Sequence, residues 1–172
     1  MTCKGEQVAL IALLCLTIGH GGLALASAAS DGWVCLGPEL ATVYALAIDP
    51  QRPTTLYAGT WKYGVYKSTD AGAHWSQING DLVYLYSNKV RAPAVDPQTP
   101  ATVFLGTYGV GVFKSTNGGA YRNQANNGLT NSKILCLTIA PQTPTTVYAG
   151  TNGGGYSRPP TGARTGTRPT PV

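Results

Sequence analysis

The sequence predicts an all-β protein in which a four-stranded antiparallel unit repeats along the chain. Three observations predict it. Of 172 residues only 11% are charged, while Gly (22), Pro (12) and Tyr (10) are abundant and Met (1) and Phe (2) scarce; this suits short strands joined by tight turns rather than amphipathic helices. The stretch Ala45-Leu46-Ala47-Ile48-Asp49-Pro50-Gln51-Arg52-Pro53 returns as Ala92-Pro93-Ala94-Val95-Asp96-Pro97-Gln98-Thr99-Pro100 and as Cys136-Leu137-Thr138-Ile139-Ala140-Pro141-Gln142-Thr143-Pro144. Leu56-Tyr57-Ala58-Gly59-Thr60 returns as Val103-Phe104-Leu105-Gly106-Thr107 and as Val147-Tyr148-Ala149-Gly150-Thr151, at offsets of 47 and 44 residues. Self-similarity at such a period is the signature of a repeat architecture.

The first thirty residues stand apart. Lys4 precedes an apolar run from Val8 to Ile18, and glycines then lead into Ala24-Leu25-Ala26-Ser27-Ala28. A basic start, an apolar centre and an A-x-A ending read as a secretory signal peptide over residues 1–28. The run is shorter than the roughly 20 residues of a membrane span. The expected location is therefore secreted or periplasmic, with no membrane span after signal cleavage. Cys15 follows Leu13-Leu14 instead of a small residue, which argues against a lipid anchor. Cys35 and Cys136 are then the cysteines of the exported part. They are either bridged or two buried small apolar side chains, and the apolar strand around Cys136 favours the second reading.

Each unit reads as four strands. In the first, Val43 to Ile48 is apolar on both faces, as for a strand buried near an axis, and ends at Asp49-Pro50 because proline cannot continue a ladder. Thr55 to Thr60 and Gly64 to Ser68 follow, and His74 to Ile78 is the fourth strand after a tight turn. Full units span about 43–78 and 90–125, with a partial third at 134–155. Trp33, Leu36 and Leu40 align with Trp75, Ile78 and Leu82, which makes residues 33–37 an orphan outer strand. A four-stranded unit of this length is the size of a propeller blade, and stacking covers the two faces that one small sheet leaves open. The predicted fold is a partial β-propeller with two full blades and partial first and third ones. Three blades fall short of the usual range of about four to eight, so a homo-oligomer that completes the ring is expected.

The turn between third and fourth strands is the most specific motif, Ser68-Thr69-Asp70-Ala71-Gly72-Ala73-His74-Trp75. It resembles the Asp-box, S-x-D-x-G-x-x-W, of the BNR repeat family, over residues 33–155, in the style of secreted bacterial members. The resemblance implies a structural role. Asp70 accepts backbone N–H groups within the turn, Gly72 supplies a positive φ and Trp75 wedges into the sheet packing. The second copy, Ser115-Thr116-Asn117-Gly118-Gly119-Ala120-Tyr121-Arg122, keeps Ser115, Asn117 and Gly119 but has lost the aspartate and the tryptophan, so its blade is expected to be looser.

After Gly155 the third copy stops resembling the others, and residues 156–172 are expected to form a disordered Pro/Gly/Thr-rich tail. The tail has a second reading at codon level. When the first two bases of each codon become the last two of a codon in the neighbouring frame, the residues from Pro159 to Gly166 permit S/T, S/T, D/N, G, G, A/S/T, D/N, W. Tyr156, Ser157 and Arg158 permit Val-Phe-Lys. A shifted reading frame near Gly155 accounts for both.

Function is read from what the repeat leaves unexplained. Asp49 and Asp96 occupy one repeat position, Glu39 and Asp81 another, and Asp70 belongs to the turn, so no spare pair of carboxylates is available for glycoside hydrolysis. Arg52 and Arg91 do not supply the arginine cluster that sialidases use. His74 is the one histidine outside the signal, which leaves neither a histidine metal site nor a base for a nucleophilic triad. No catalytic residue, metal site or cofactor is expected. The formal charge of +5 includes Arg158, Arg164 and Arg168 in the tail, so it is no nucleic-acid footprint. The loops between second and third strands and those between blades emerge on one face and carry Trp61, Tyr63, Tyr84, Tyr86 and Tyr108, candidate residues for stacking on sugars or holding a protein. The expected function is a non-catalytic, secreted repeat module, truncated or fragmentary, that binds or scaffolds a glycan or a protein. Two alternatives stay open: a remnant or subunit of a carbohydrate-active propeller enzyme, and a protein similar to the BNR-type photosystem-assembly factors.

Overall fold

The structure, a computed structural model, describes residues 35–80 and 89–158. The expected signal segment 1–28, Trp33 and Val34 of the orphan strand, Tyr84, Tyr86 and tail residues 159–172 lie outside the described residues. Those described are all β, in three antiparallel sheets with the strand order of a simple meander. The first sheet holds β1 (Val43–Asp49), β2 (Arg52–Thr60), β3 (Val65–Ser68) and β4 (Ser76–Gln77). The second holds β5 (Val90–Val95), β6 (Val103–Thr107), β7 (Gly111–Ser115) and β8 (Asn123–Gln124). The third holds β9 (Ile134–Ile139), β10 (Val147–Thr151) and β11 (Gly155–Ser157).

The repeat reappears in the register. Ala47 pairs with Tyr57, Ala94 with Phe104 and Thr138 with Tyr148. The first strands of the first two units end where an aspartate folds the chain back, and Ala140 stands at that position in the third. Asp49 accepts the Gln51 and Arg52 N–H groups, and Asp96 those of Gln98 and Thr99. Pro93 sits inside β5, which is tolerated because β5 is an edge strand paired only with β6.

The core lies between sheets. Tyr57 and Val65 of the first unit pack against Val90, Val103, Leu105 and Phe113 of the second. Ala92, Phe104 and Val112 of the second pack against Ile134, Val147 and Ala149 of the third. Burying each of the larger side chains contributes about 1.5–3 kcal/mol. The glycine of the recurring Gly-Thr pair lets the units approach. A Cβ on Gly59 would lie 2.6 Å from the Val90 carbonyl oxygen, and one on Gly106 2.6 Å from Ile134. Glutamines tie the units at the Asp-Pro end: Gln51 donates to the Pro97 and Gln98 carbonyls, and Gln98 to that of Pro141.

Several expectations need correction. β1 is not buried on both faces: Leu46 is 59% and Ile48 56% exposed. They sit on the face turned away from the second unit, and a strand that is apolar on both sides is covered only where a sheet lies on both sides. Residues 35–37 form no strand. The Leu36 carbonyl instead accepts the Trp75 indole N–H, and Leu36 and Leu40 are exposed. The fourth strands are shorter than the expected His74 to Ile78, because the turn itself extends to Trp75. The third unit does not stop at Gly155, since Tyr156 and Ser157 continue β11 beside Gly150 and Ala149. Neither reading of the cysteines holds. Cys136 is a free, exposed thiol, so it is neither bridged to Cys35 nor buried.

Candidate functional site

The connections at the start of each first strand gather at one end of the stack. Trp61 N–H donates to the Thr42 carbonyl, Tyr108 N–H to that of Lys89 and Asn152 N–H to that of Lys133. The same bond in each unit sets the loop after the second strand beside the chain entering the first. The turn carboxylates Asp49, Asp70 and Asp96 lie at the opposite end of the strands.

Side chains at this end form a continuous stripe across the three units. Tyr44 and Trp61 meet edge to face, with centroids 5.6 Å apart. Lys89 Nζ lies 4.0 Å from the Trp61 centroid. The Arg91 guanidinium bridges two units, 4.6 Å from the Tyr44 ring and 5.5 Å from the Tyr108 ring. Lys133 Nζ is 5.8 Å from Tyr108, and Asn152 Nδ2 donates to the Tyr108 hydroxyl at 2.7 Å. Cations at these distances are attracted by the negative faces of the rings, so the surface is aromatic in shape and positive in charge. Its chemistry suits a ligand with a flat apolar face and an anionic group.

Of the expected site residues, the structure brings Trp61 and Tyr108 together. Tyr63, with Leu40, Thr42, Trp61 and Lys62, lines a shallow hollow of about 280 Å³. Its carbonyl accepts from the Gln77 and Asn79 side chains. Tyr84 and Tyr86 lie outside the described residues. Sequence reasoning missed Tyr44, Lys89, Arg91, Lys133 and Asn152. The missed signal was periodicity: Lys89 and Lys133 are 44 residues apart, the offset between the second and third units.

The turn residues act locally. The Ser68 hydroxyl donates to Asp70 at 2.8 Å and accepts from the Gly72 N–H, while Asp70 accepts from His74 N–H at 2.9 Å and lies 2.6 Å from its ring Nδ1. The His74 backbone N–H, then the His74 ring and the Ser68 hydroxyl, hold the Asp70 carboxyl down to about 2. Ala71 and Gly72 both have positive φ, 59° and 93°. The second turn makes the equivalent bonds. Ser115 donates to the Asn117 amide oxygen at 2.9 Å, Gly119 N–H donates to the Ser115 hydroxyl, and Tyr121 N–H donates to Asn117. Arg122, in place of tryptophan, is 7% exposed. Its guanidinium donates to Asn79 and Ile78 of the first unit and to Gly119 of its own turn. Among the described residues no group of three His, Cys, Asp or Glu side chains could hold a metal.

Comparison with solved structures places the fold among β-propeller proteins. The chain is similar to the GH74 enzyme of Niastella koreensis, with 30% identity and a TM-score of 0.53 over 63% of this chain and 19% of that one. It is also similar to an ancestral GH74 enzyme, with 19% identity and a TM-score of 0.54 over 71% and 18% of the two chains. The WD40 repeats of RRP9 match with 12% identity and a TM-score of 0.50 over 66% and 34%. The chain thus spans about a fifth of the length of the two GH74 enzymes. No protein-family model and no curated protein matches it.

Proposed function

We propose that the chain is a non-catalytic, exported β-propeller module that binds through the stripe from Tyr44 to Lys133. The observation that supports this most is the spacing of Trp61, Arg91 and Tyr108 across two units, held by cation–π contacts. The rings offer a stacking surface, and Lys89, Arg91 and Lys133 favour a ligand with carboxylate or sulfate groups, as on an acidic glycan or the acidic face of a protein. A non-catalytic role agrees with the use of the carboxylates. Asp49 and Asp96 are buried and hold N–H groups of their own turns, and Asp70 holds His74. A second copy that seats on the open faces, at Leu46 and Ile48 of the first blade and at Tyr148 and Tyr156 of the third, would extend the ring.

The test is binding to an array of neutral and acidic oligosaccharides and of acidic peptides, with Trp61→Ala and Tyr108→Ala variants beside the parent. Binding that both substitutions reduce more than tenfold, and that weakens with salt, supports the proposal. Binding that neither variant alters removes it. The likeness to the Niastella enzyme favours one other reading, that the chain is a piece or subunit of a glycoside hydrolase propeller. Release of reducing sugar from a polysaccharide by the isolated chain would establish that reading instead.

A further inference from the structure

A cleft of about 360 Å³ opens between the second and third blades, lined by Phe104, Val112, Lys114 and Ala125 on one side and by Val147 and Ser157 on the other. One repeat earlier, the first four correspond to Tyr57, Val65, Lys67 and Ile78, of which the first two are buried and the last two half-buried. There the second blade lays its 115–122 turn over them. The Gly118 carbonyl accepts from the Tyr57 hydroxyl at 3.3 Å and from Lys67 Nζ at 3.2 Å, Gly119 packs on Ile78, and Arg122 donates to the Ile78 and Asn79 carbonyls. The cleft is therefore the place where the turn of a third blade would lie. Ser157 stands where the second blade has Phe113, which is 5% exposed in the core, and the cleft is wider by that ring.

We infer that this cleft is the seat of a third turn of the Ser/Thr-x-Asp-x-Gly kind, with threonine at its first position, and that the residues fitting it are encoded one reading frame away from residues 156–172. The structure asks for an aromatic ring at 157, and the neighbouring frame of a serine codon permits phenylalanine there. It permits valine at 156, where Val65 and Val112 stand in the other blades, and lysine at 158, matching Lys67 and Lys114. The turn follows, ending in tryptophan at 166. Beyond it the same shift permits asparagine at 167, alanine at 169, asparagine at 170 and glycine at 172, matching Asn123, Ala125, Asn126 and Gly128 of the second blade. The asparagine at 170 has a defined duty. Its counterparts Asn79 and Asn126 each accept the N–H of the third strand, from Val65 and Val112, and donate to the preceding loop. This inference does not depend on the proposed binding role.

Two measurements test it. Codons in the gene that cannot encode the turn in the neighbouring frame overturn it. Where they can, the full chain is made with Tyr156→Val, Ser157→Phe, Arg158→Lys, Pro159→Thr, Pro160→Thr, Thr161→Asp, Ala163→Gly, Arg164→Ala, Thr165→Asp, Gly166→Trp, Thr167→Asn and Thr170→Asn. Its Tm is expected to rise by about 10 °C, and a version that retains Ser157 is expected to recover less than half of the gain. An unchanged Tm, or an equal gain with Ser157 retained, overturns the inference. If the altered chain does not fold, a synthetic peptide of the same sequence is added to the unaltered chain. A rise in Tm with peptide concentration supports the inference, and no rise up to millimolar peptide overturns it.

Discussion

Arg122 replaces the tryptophan of the first turn, and its removal tests whether a guanidinium can take over the work of an indole. It is buried and donates to three carbonyls, Asn79 at 2.7 Å, Gly119 at 2.6 Å and Ile78. Charged hydrogen bonds are worth about 1.5–3 kcal/mol each, but three bonds from one group are not additive. The Gly119 bond also lies within the turn itself. Arg122→Ala is therefore expected to cost about 3 kcal/mol, which for a domain of this size is a fall in Tm of about 10 °C. Thermal unfolding followed by circular dichroism measures it. Arg122→Lys is expected to recover only a small part, because an ammonium on a flexible stem cannot span carbonyls of two blades. Arg122→Leu separates packing from hydrogen bonding: a leucine variant as stable as the parent would refute the reasoning, as would a loss below about 2 °C for alanine.

Two further predictions rest on single positions. Asp70 has a carboxyl held down to about 2 from an ordinary 3.8, so its contribution to stability is complete above about pH 4 and is lost as the pH falls through 2. Asp70→Asn is expected to remove that acid-labile part and leave the turn formed, since Asn117 makes the same bonds in the second blade; Tm against pH from 5 down to 2 is the measurement. Gly106→Ala would set a methyl group 2.6 Å from the Ile134 side chain and is expected to cost about 1–3 kcal/mol in denaturant unfolding, whereas at Gly37, with nothing within 4 Å, alanine is expected to change little.

The strands of the three units were legible because their signals are local. Asp-Pro ends a strand, Gly-Thr marks the close approach to the next unit, and the Ser-x-Asp turn closes on itself. What escaped was set between units. The exposure of Leu46 and Cys136 depends on which neighbour is present, and a strand's own pattern carries no such information. Arg122 reads as a lost tryptophan until the carbonyls of Ile78 and Asn79 are seen within its reach. The stripe was half legible: Trp61 and Tyr108 stand out by type. Arg91 matters because it reaches rings of two units, and nothing near it in the sequence says so.

The glutamine ties from Gln51 to Pro97 and Gln98, and from Gln98 to Pro141, bear on how the chain orders itself. Every sheet is closed by hairpins from its own stretch of sequence, and among the described residues the main contacts between sheets join neighbours, β1 and β2 with β5 and β5 and β6 with β9. Such a chain behaves as a one-dimensional array in which a unit's persistence depends on how many neighbours it has. The middle unit is held on both sides and is expected to open last, while the two outer units, each tied on one side only, are expected to open at lower free energy. Order then spreads outward from residues 90–124, with each glutamine a latch that closes only after the next Asp-Pro or Ala-Pro corner has formed.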